Sequence, residues 1–214
     1  MGGKTAVDLP AGKNLVGTFC QPVLVLCDPQ VLDTLPHEQY RDGCAEVIKY
    51  GLLGNAEFFE QLERTPVSQQ REHVIATCIA MKRDLVCEDE FDFGARRLLN
   101  LGHSIGHAVE ACSQFAIPHG SAVAIGMAHI TRAAVEKGIC PPQVLPRVLN
   151  ILQQYDLPTR APYPLEQLYQ ASLADKKIAN GKMHLVVPET LGRCCIQSVT
   201  GEEMREWMRA GGIQ

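Results

Sequence analysis

The sequence predicts a mostly α-helical domain with a short strand near its start and a small β-hairpin near its end. Three observations carry this reading. Apolar residues recur at helical spacing from His37 to about Ala134. Proline- and glycine-bounded amphipathic segments continue that pattern to Ala174. Two short apolar runs, His184–Val187 and Cys194–Val199, then bracket a Pro188–Gly192 turn.

Composition is compatible with one folded core. The chain has 214 residues, of which 46% are hydrophobic and 21% charged, enough apolar surface to fold. A formal net charge of −4 leaves no basic excess, so neither nucleic acid nor an anionic membrane is the expected partner. Nine cysteines include no C-x-x-C pair, which argues against a disulfide framework and for a reducing, cytoplasmic setting. No signal-peptide h-region stands at the N-terminus. The stretch Leu15–Cys27 is apolar but is broken by Gly17, Gln21 and Pro22, and it is too short to span a bilayer.

In chain order, residues 1–22 are rich in Gly, Pro and Lys and read as irregular loop. Residues 23–27 (VLVLC) read as a short buried strand. Asp28-Pro29 opens a short helix or turn that closes near Leu35-Pro36. Cys44, Val47, Ile48 and Leu52 mark a helix, as do Phe58, Phe59 and Leu62, and then Val74, Cys78 and Met81. Residues 96–112 and 119–137 are strong helix candidates, and segments 142–155 and 164–174 follow. Thr200 with Glu203 is a capping-box signature for a last helix to about Arg209.

The sharpest chemical feature is the run Asn100–His107, NLGHSIGH. His103 and His107 are four residues apart and share a helix face. Gly102 and Gly106 each precede a histidine; glycine in a helix costs about 1 kcal/mol relative to alanine, so something must approach the backbone closely. His119 opens the next helix. Two of these histidines with one carboxylate suit a catalytic metal that keeps an open position. Glu46, set among apolar neighbours, stands out as the acid. Arg96, Asn100, His103 and His107 fall at spacings that place them on one helix face, and with Lys82 they suit an anionic, oxygen-rich ligand. Lys4 and Lys13 sit in glycine-bearing loops that can receive phosphate.

Six stretches, in order, carry a resemblance: GGKTAVDLPAGKN, DPQVLDTLP, GCAEVIKYG, ARRLLNLGHSIGHAVE, HGSAVAIGM and DKKIANGKMHLVVP. Together they resemble the 3-dehydroquinate synthase family, in its C-terminal metal- and substrate-binding part. The resemblance implies a multi-helix domain over 37–214, preceded by a loop-rich segment, 1–36, left from the cleft that binds NAD and substrate. It implies that the family's N-terminal NAD-binding domain is missing here. Glu46, His103 and His119 match the zinc (or cobalt) ligands. Lys4 and Lys13 match lysines near NAD and phosphate, and Val31, Leu32, Asp33 and Thr34 match a segment lining the NAD site. Asn14, Lys82, Arg96, Asn100 and His107 match substrate-holding positions, Lys49 an active-site lysine, and one of Lys176 and Lys177 a phosphate-binding lysine. The implied reaction turns 3-deoxy-D-arabino-heptulosonate 7-phosphate into 3-dehydroquinate in the shikimate pathway, by a cytoplasmic homodimer. Departures are Ser121 and Asp92, where the family usually has Glu, and Ser104-Ile105 in place of Thr-Phe. The alternatives are another sugar-phosphate cyclase, such as a 2-deoxy-scyllo-inosose synthase, and a non-catalytic metal-binding helical fragment.

Overall fold

A computed structural model describes residues 2–9, 12–174 and 182–214, without the side chains of residues 8, 12–15 and 174. Eight α-helices and two antiparallel strand pairs make up the described fold. The helices are α1 (His37–Gly54), α2 (Ala56–Arg64), α3 (Arg71–Glu88), α4 (His103–Cys112), α5 (His119–Glu136), α6 (Val144–Gln154), α7 (Leu165–Ala174) and α8 (Gly201–Ala210). Strands β1 (Lys4–Leu9) and β2 (Gly12–Phe19) form one pair, β3 (Lys182–Thr190) and β4 (Arg193–Thr200) the other.

Helix α5 is the axis of the core. Its middle, residues 120–128, is small and largely apolar all round, and Ala122 through Ile130 are almost wholly buried, as a stretch without a polar face must be. Helices α1, α4, α6 and α8 and strand β3 surround it. Helix α2 instead shows a clean apolar stripe, with Phe58, Phe59 and Leu62 inward. Helix α8 begins with the expected capping box: Thr200 Oγ1 accepts from the Glu203 amide at 3.3 Å, and Glu203 Oε2 accepts from the Thr200 amide at 2.6 Å. The C-terminal hairpin is also as expected, pairing Lys182 with Thr200 through to Thr190 with Arg193.

Three expectations need correction. Residues 1–22 are not irregular loop: β1 and β2 pair from Lys4↔Phe19 to Leu9↔Gly12. Residues 23–27 are not a buried strand. A strand needs a neighbour for its amides and carbonyls, and among the described residues none pairs with it; Val23, Leu24 and Leu26 are 105%, 77% and 88% exposed. Finally, 96–112 is not one helix. A 3-10 segment, Ala95–Asn100, ends before Gly102, whose φ of +78° stops the spiral, and α4 starts afresh at His103. Arg96 and Asn100 therefore do not share a helix face with His103 and His107.

Candidate metal centre

Glu46, in the middle of α1, meets the first residues of two other helices, His103 of α4 and His119 of α5. Glu46 Oε1 lies 3.6 Å from His103 Nε2 and 3.7 Å from His119 Nε2. Both separations are too long for hydrogen bonds. Oε1 is buried and has no hydrogen-bond partner, although Oε2 receives Lys49 Nζ at 2.6 Å. A buried acceptor left unpaired costs about 1–3 kcal/mol. A cation between these three atoms removes that cost, so the donor set fits a metal.

Ring tautomers agree. His103 Nδ1 lies 3.0 Å from the Leu101 carbonyl, which can only accept, so Nδ1 carries the proton and Nε2 keeps a lone pair. Burial, then Lys49, push His103 down to about 3 against the pull of Glu46, so the ring is neutral near pH 7. Burial alone would raise Glu46, but Lys49, His119 and His103 together hold its carboxyl well below the usual range. The Glu110 hydrogen bond and then Glu46 raise His119 to about 9, with burial opposing them. A cation at His119 Nε2 takes the place of a proton and answers the same carboxylates. One carboxylate oxygen and two imidazole nitrogens would supply three protein ligands, the number that catalytic zinc sites use.

A close approach of α1 to α5 builds this geometry. Asp42, one turn before Glu46 on α1, accepts from the amides of Gly120 (2.8 Å) and Ser121 (2.6 Å) and from Ser121 Oγ (3.0 Å). It thereby caps α5 and fixes His119 beside it. A Cβ on Gly120 would stand 1.9 Å from the Asp42 carbonyl oxygen, so only glycine fits. Asp42→Ala is expected to cost about 1–2 kcal/mol by urea denaturation and to weaken zinc binding as well. A stability loss with unchanged zinc affinity would show that the cap does not position His119.

The remaining predicted residues fall into groups. Lys4, Lys49, Lys82 and Arg96 gather beside the triad. Lys49 is buried and also donates to the Leu99 carbonyl at 2.8 Å. Half-buried Lys82 is pushed below its ordinary value by burial, then by Lys49, and also by Arg96 and Lys4, with Glu46 opposing. Lys4 pairs with Asp92 at 2.5 Å. Buried Arg96 donates to the carbonyls of Gly2 and Glu90. As built, it contributes charge and ties the chain's start to the site; a ligand carboxylate must compete for its fork. Asn100 closes the 3-10 segment two residues before the Gly102 break. His107, one turn beyond His103, packs with ring centroids 5.4 Å from His103 and 6.2 Å from His119. Val31, Leu32, Asp33 and Thr34 lie on the 3-10 turn Pro29–Thr34, where Asp33 pairs with Arg71 beside a groove of about 660 Å³. The side chains of Lys13 and Asn14, and the whole of Lys176 and Lys177, lie outside what the structure describes.

Sequence reasoning missed Asp42 and Glu110. Each left a trace: Asp42 stands four residues before Glu46, and Glu110 is an acid on the otherwise apolar end of α4, three residues after His107. Among the described residues, His107, Glu110 and His119 form a second group whose ligand atoms lie within 4.8 Å of one another.

The chain is similar to known proteins along most of its length. Residues 43–178 match the family described as 3-dehydroquinate synthase C-terminal, and residues 1–42 match 3-dehydroquinate synthase N-terminal. A 3-dehydroquinate synthase from Streptococcus suis is 40% identical over 98% of this chain and 61% of its own length. One from Enterococcus faecalis is 40% identical over 100% of this chain and 62% of its own. The chain thus spans about three-fifths of these relatives. Among solved structures, the 2-epi-5-epi-valiolone synthase of Streptomyces hygroscopicus subsp. jinggangensis, with NAD+ and Zn2+ bound, superposes with a TM-score of 0.87 at 28% identity, covering 99% of this chain and 62% of that one. A 2-deoxy-scyllo-inosose synthase gives 0.78 at 25% identity, covering 97% and 60%. With family matches along most of its length and a triad in the middle of them, this chain belongs to the 3-dehydroquinate synthase family.

Proposed function

We propose that this chain is the metal- and substrate-binding part of a 3-dehydroquinate synthase, acting on 3-deoxy-D-arabino-heptulosonate 7-phosphate in the shikimate pathway. The observation that carries the proposal is the orphaned Glu46 Oε1 facing two imidazole nitrogens beside a cluster of four cations. Glu46, His103 and His119 would hold zinc or cobalt, which supplies Lewis-acid polarisation of a substrate hydroxyl. Lys4, Lys49, Lys82 and Arg96 provide a positive field for a substrate bearing both phosphate and carboxylate. Lys49 also neutralises the second oxygen of Glu46. That leaves Oε1 to face the metal position. The imidazole of His107, which packs beside His103, would exchange a proton with a bound hydroxyl.

NAD would supply a hydride acceptor. Exposed Val31 and its neighbours through Thr34, next to the groove at Arg71, are its proposed contacts, together with Lys4 and Lys13. Residues 1–36 would form one wall of that cleft and 37–214 the helical body. The rest of the family's N-terminal domain would cover the exposed Val23, Leu24 and Leu26. The match of residues 1–42 to the N-terminal family and the three-fifths coverage support this. A homodimer in the cytoplasm completes the proposal; among the described residues no helix is long and apolar enough to cross a membrane.

The test is release of inorganic phosphate from the heptulosonate phosphate with zinc and NAD. The chain is assayed alone and fused behind the N-terminal part of the Streptococcus suis relative. Turnover that requires the fusion, and falls at least about 100-fold with Lys82→Met, supports the proposal. Turnover of a carboxylate-free sugar phosphate instead favours the second reading, another cyclase, to which the two solved structures lend weight. Silence of a folded, zinc-loaded fusion toward every substrate would sink both.

A further inference from the structure

We infer that Glu110 is a positioning residue that holds His119 in the orientation and tautomer needed to bind metal through Nε2. The inference deepens the metal assignment above and rests on it. Glu110 is 3% exposed, a degree of burial that an ionised carboxylate does not reach without partners. It lies near the end of α4, on a stretch that is otherwise apolar (AVEAC, residues 108–112). Its Oε2 is 3.3 Å from His119 Nδ1. An ionised carboxylate only accepts, so the proton of this contact belongs to Nδ1. The other nitrogen, Nε2, then points at Glu46 Oε1.

His119 needs such a partner more than His103 does. His103 is 12% exposed, and the Leu101 carbonyl of its own chain segment fixes its ring. The His119 side chain is 43% exposed, at the first position of α5, where no preceding turn packs against it. Without Glu110 the ring is free to rotate about its side-chain torsions and to offer either nitrogen. Carboxylates that accept from a ligand imidazole typically contribute 10–100-fold to metal affinity by removing this freedom and raising ligand basicity. The arrangement also explains a carboxylate inside the core: α4 delivers His103 at its start and the partner of His119 two turns later.

The test uses zinc affinity of the purified chain, measured by competition with a chromophoric chelator, and thermal melting without metal. Wild-type affinity reads the metal assignment, and ratios between variants read the role of Glu110. Glu110→Gln keeps the shape and removes the charge. It is expected to bind zinc about 10–100-fold more weakly with an unchanged melting temperature. In a His119→Ala background the same substitution is expected to change affinity less than about twofold, because a residue acting only through His119 has nothing left to act on. Unchanged affinity in Glu110→Gln overturns the inference. So does an equal loss in both backgrounds. A loss in His107→Ala as large as that in Glu110→Gln would make Glu110 a direct ligand with His107, and it overturns the inference too. Should Glu110→Gln fail to fold, nitrogen-edited NMR of the zinc-loaded wild type decides. A slowly exchanging, downfield His119 Nδ1–H is expected, and an Nε2–H with a bare Nδ1 overturns the role.

Discussion

His103→Ala is expected to weaken zinc binding by more than about 100-fold, measured by calorimetry on the purified chain. His103 is the most enclosed of the three proposed ligands, and its ring is already locked by the Leu101 carbonyl. Little ordering entropy remains to be lost when it binds, so it contributes more than a mobile surface imidazole would. Its removal leaves Glu46 Oε1 with one nitrogen in reach instead of two. The companion variant His107→Ala is expected to change affinity by less than about threefold, since the proposed ligand set does not include His107. This pair separates the two donor groups that the fold creates. Strong loss in His103→Ala alone places the metal with Glu46. Strong loss in His107→Ala alone places it with Glu110 and withdraws the proposed catalytic geometry.

The two groups also show how much of the site could be read before the fold was known. His103 is conspicuous because it stands four residues from His107, and His119 because it opens the next helix. Glu46 is conspicuous because it is a charge in an apolar run. Their convergence, however, depends on three helices meeting, and no local pattern reports that. Asp42 and Glu110 were passed over because a lone acid on a helix looks like a solvated surface residue until the partner helix is in place. The ladder from Arg96 to His107 erred for the opposite reason. Its spacing was right, but the positive φ of Gly102 resets the helix between Asn100 and His103, and periodicity cannot see a glycine that ends one element and caps another.

Strands were harder still. The apolar run at 23–27 has the right composition for a strand, but a strand exists only with a hydrogen-bonding neighbour. The pair β1–β2 has such a neighbour within its own hairpin and forms despite its Gly- and Lys-rich sequence. The C-terminal hairpin could be read because both its strands and its turn lie together in the chain. Helices α5 and α8 were equally plain, one from its unbroken apolar run and the other from its cap.

Gly126→Ala is expected to destabilise the chain by about 3 kcal/mol, the upper end of ordinary overpacking. That corresponds to a melting temperature lower by about 6–12 °C for a chain of this size. A Cβ at Gly126 would stand 1.9 Å from the Gly102 carbonyl oxygen and 2.7 Å from its carbon. The obstacle is backbone, so no side chain can swing aside; α5 and the start of α4 must move apart. Gly102 cannot yield by turning, because its own φ of +78° is what ends the 3-10 segment and launches α4. His103 is the next residue, so the displacement is carried straight to a proposed ligand, and zinc affinity is expected to fall along with stability. Gly43→Ala makes the contrast. Gly43 lies on the exposed face of α1 with nothing within 4 Å of a built Cβ, and alanine there is expected to stabilise by up to about 1 kcal/mol through helix propensity. Thermal melts of the two variants, read with zinc titrations, therefore test whether the close approach of Gly126 on α5 to Gly102 sets the contact between α5 and the start of α4. Equal, small effects at both positions would mean that α4 and α5 have slack, and that the spacing of the triad is set elsewhere.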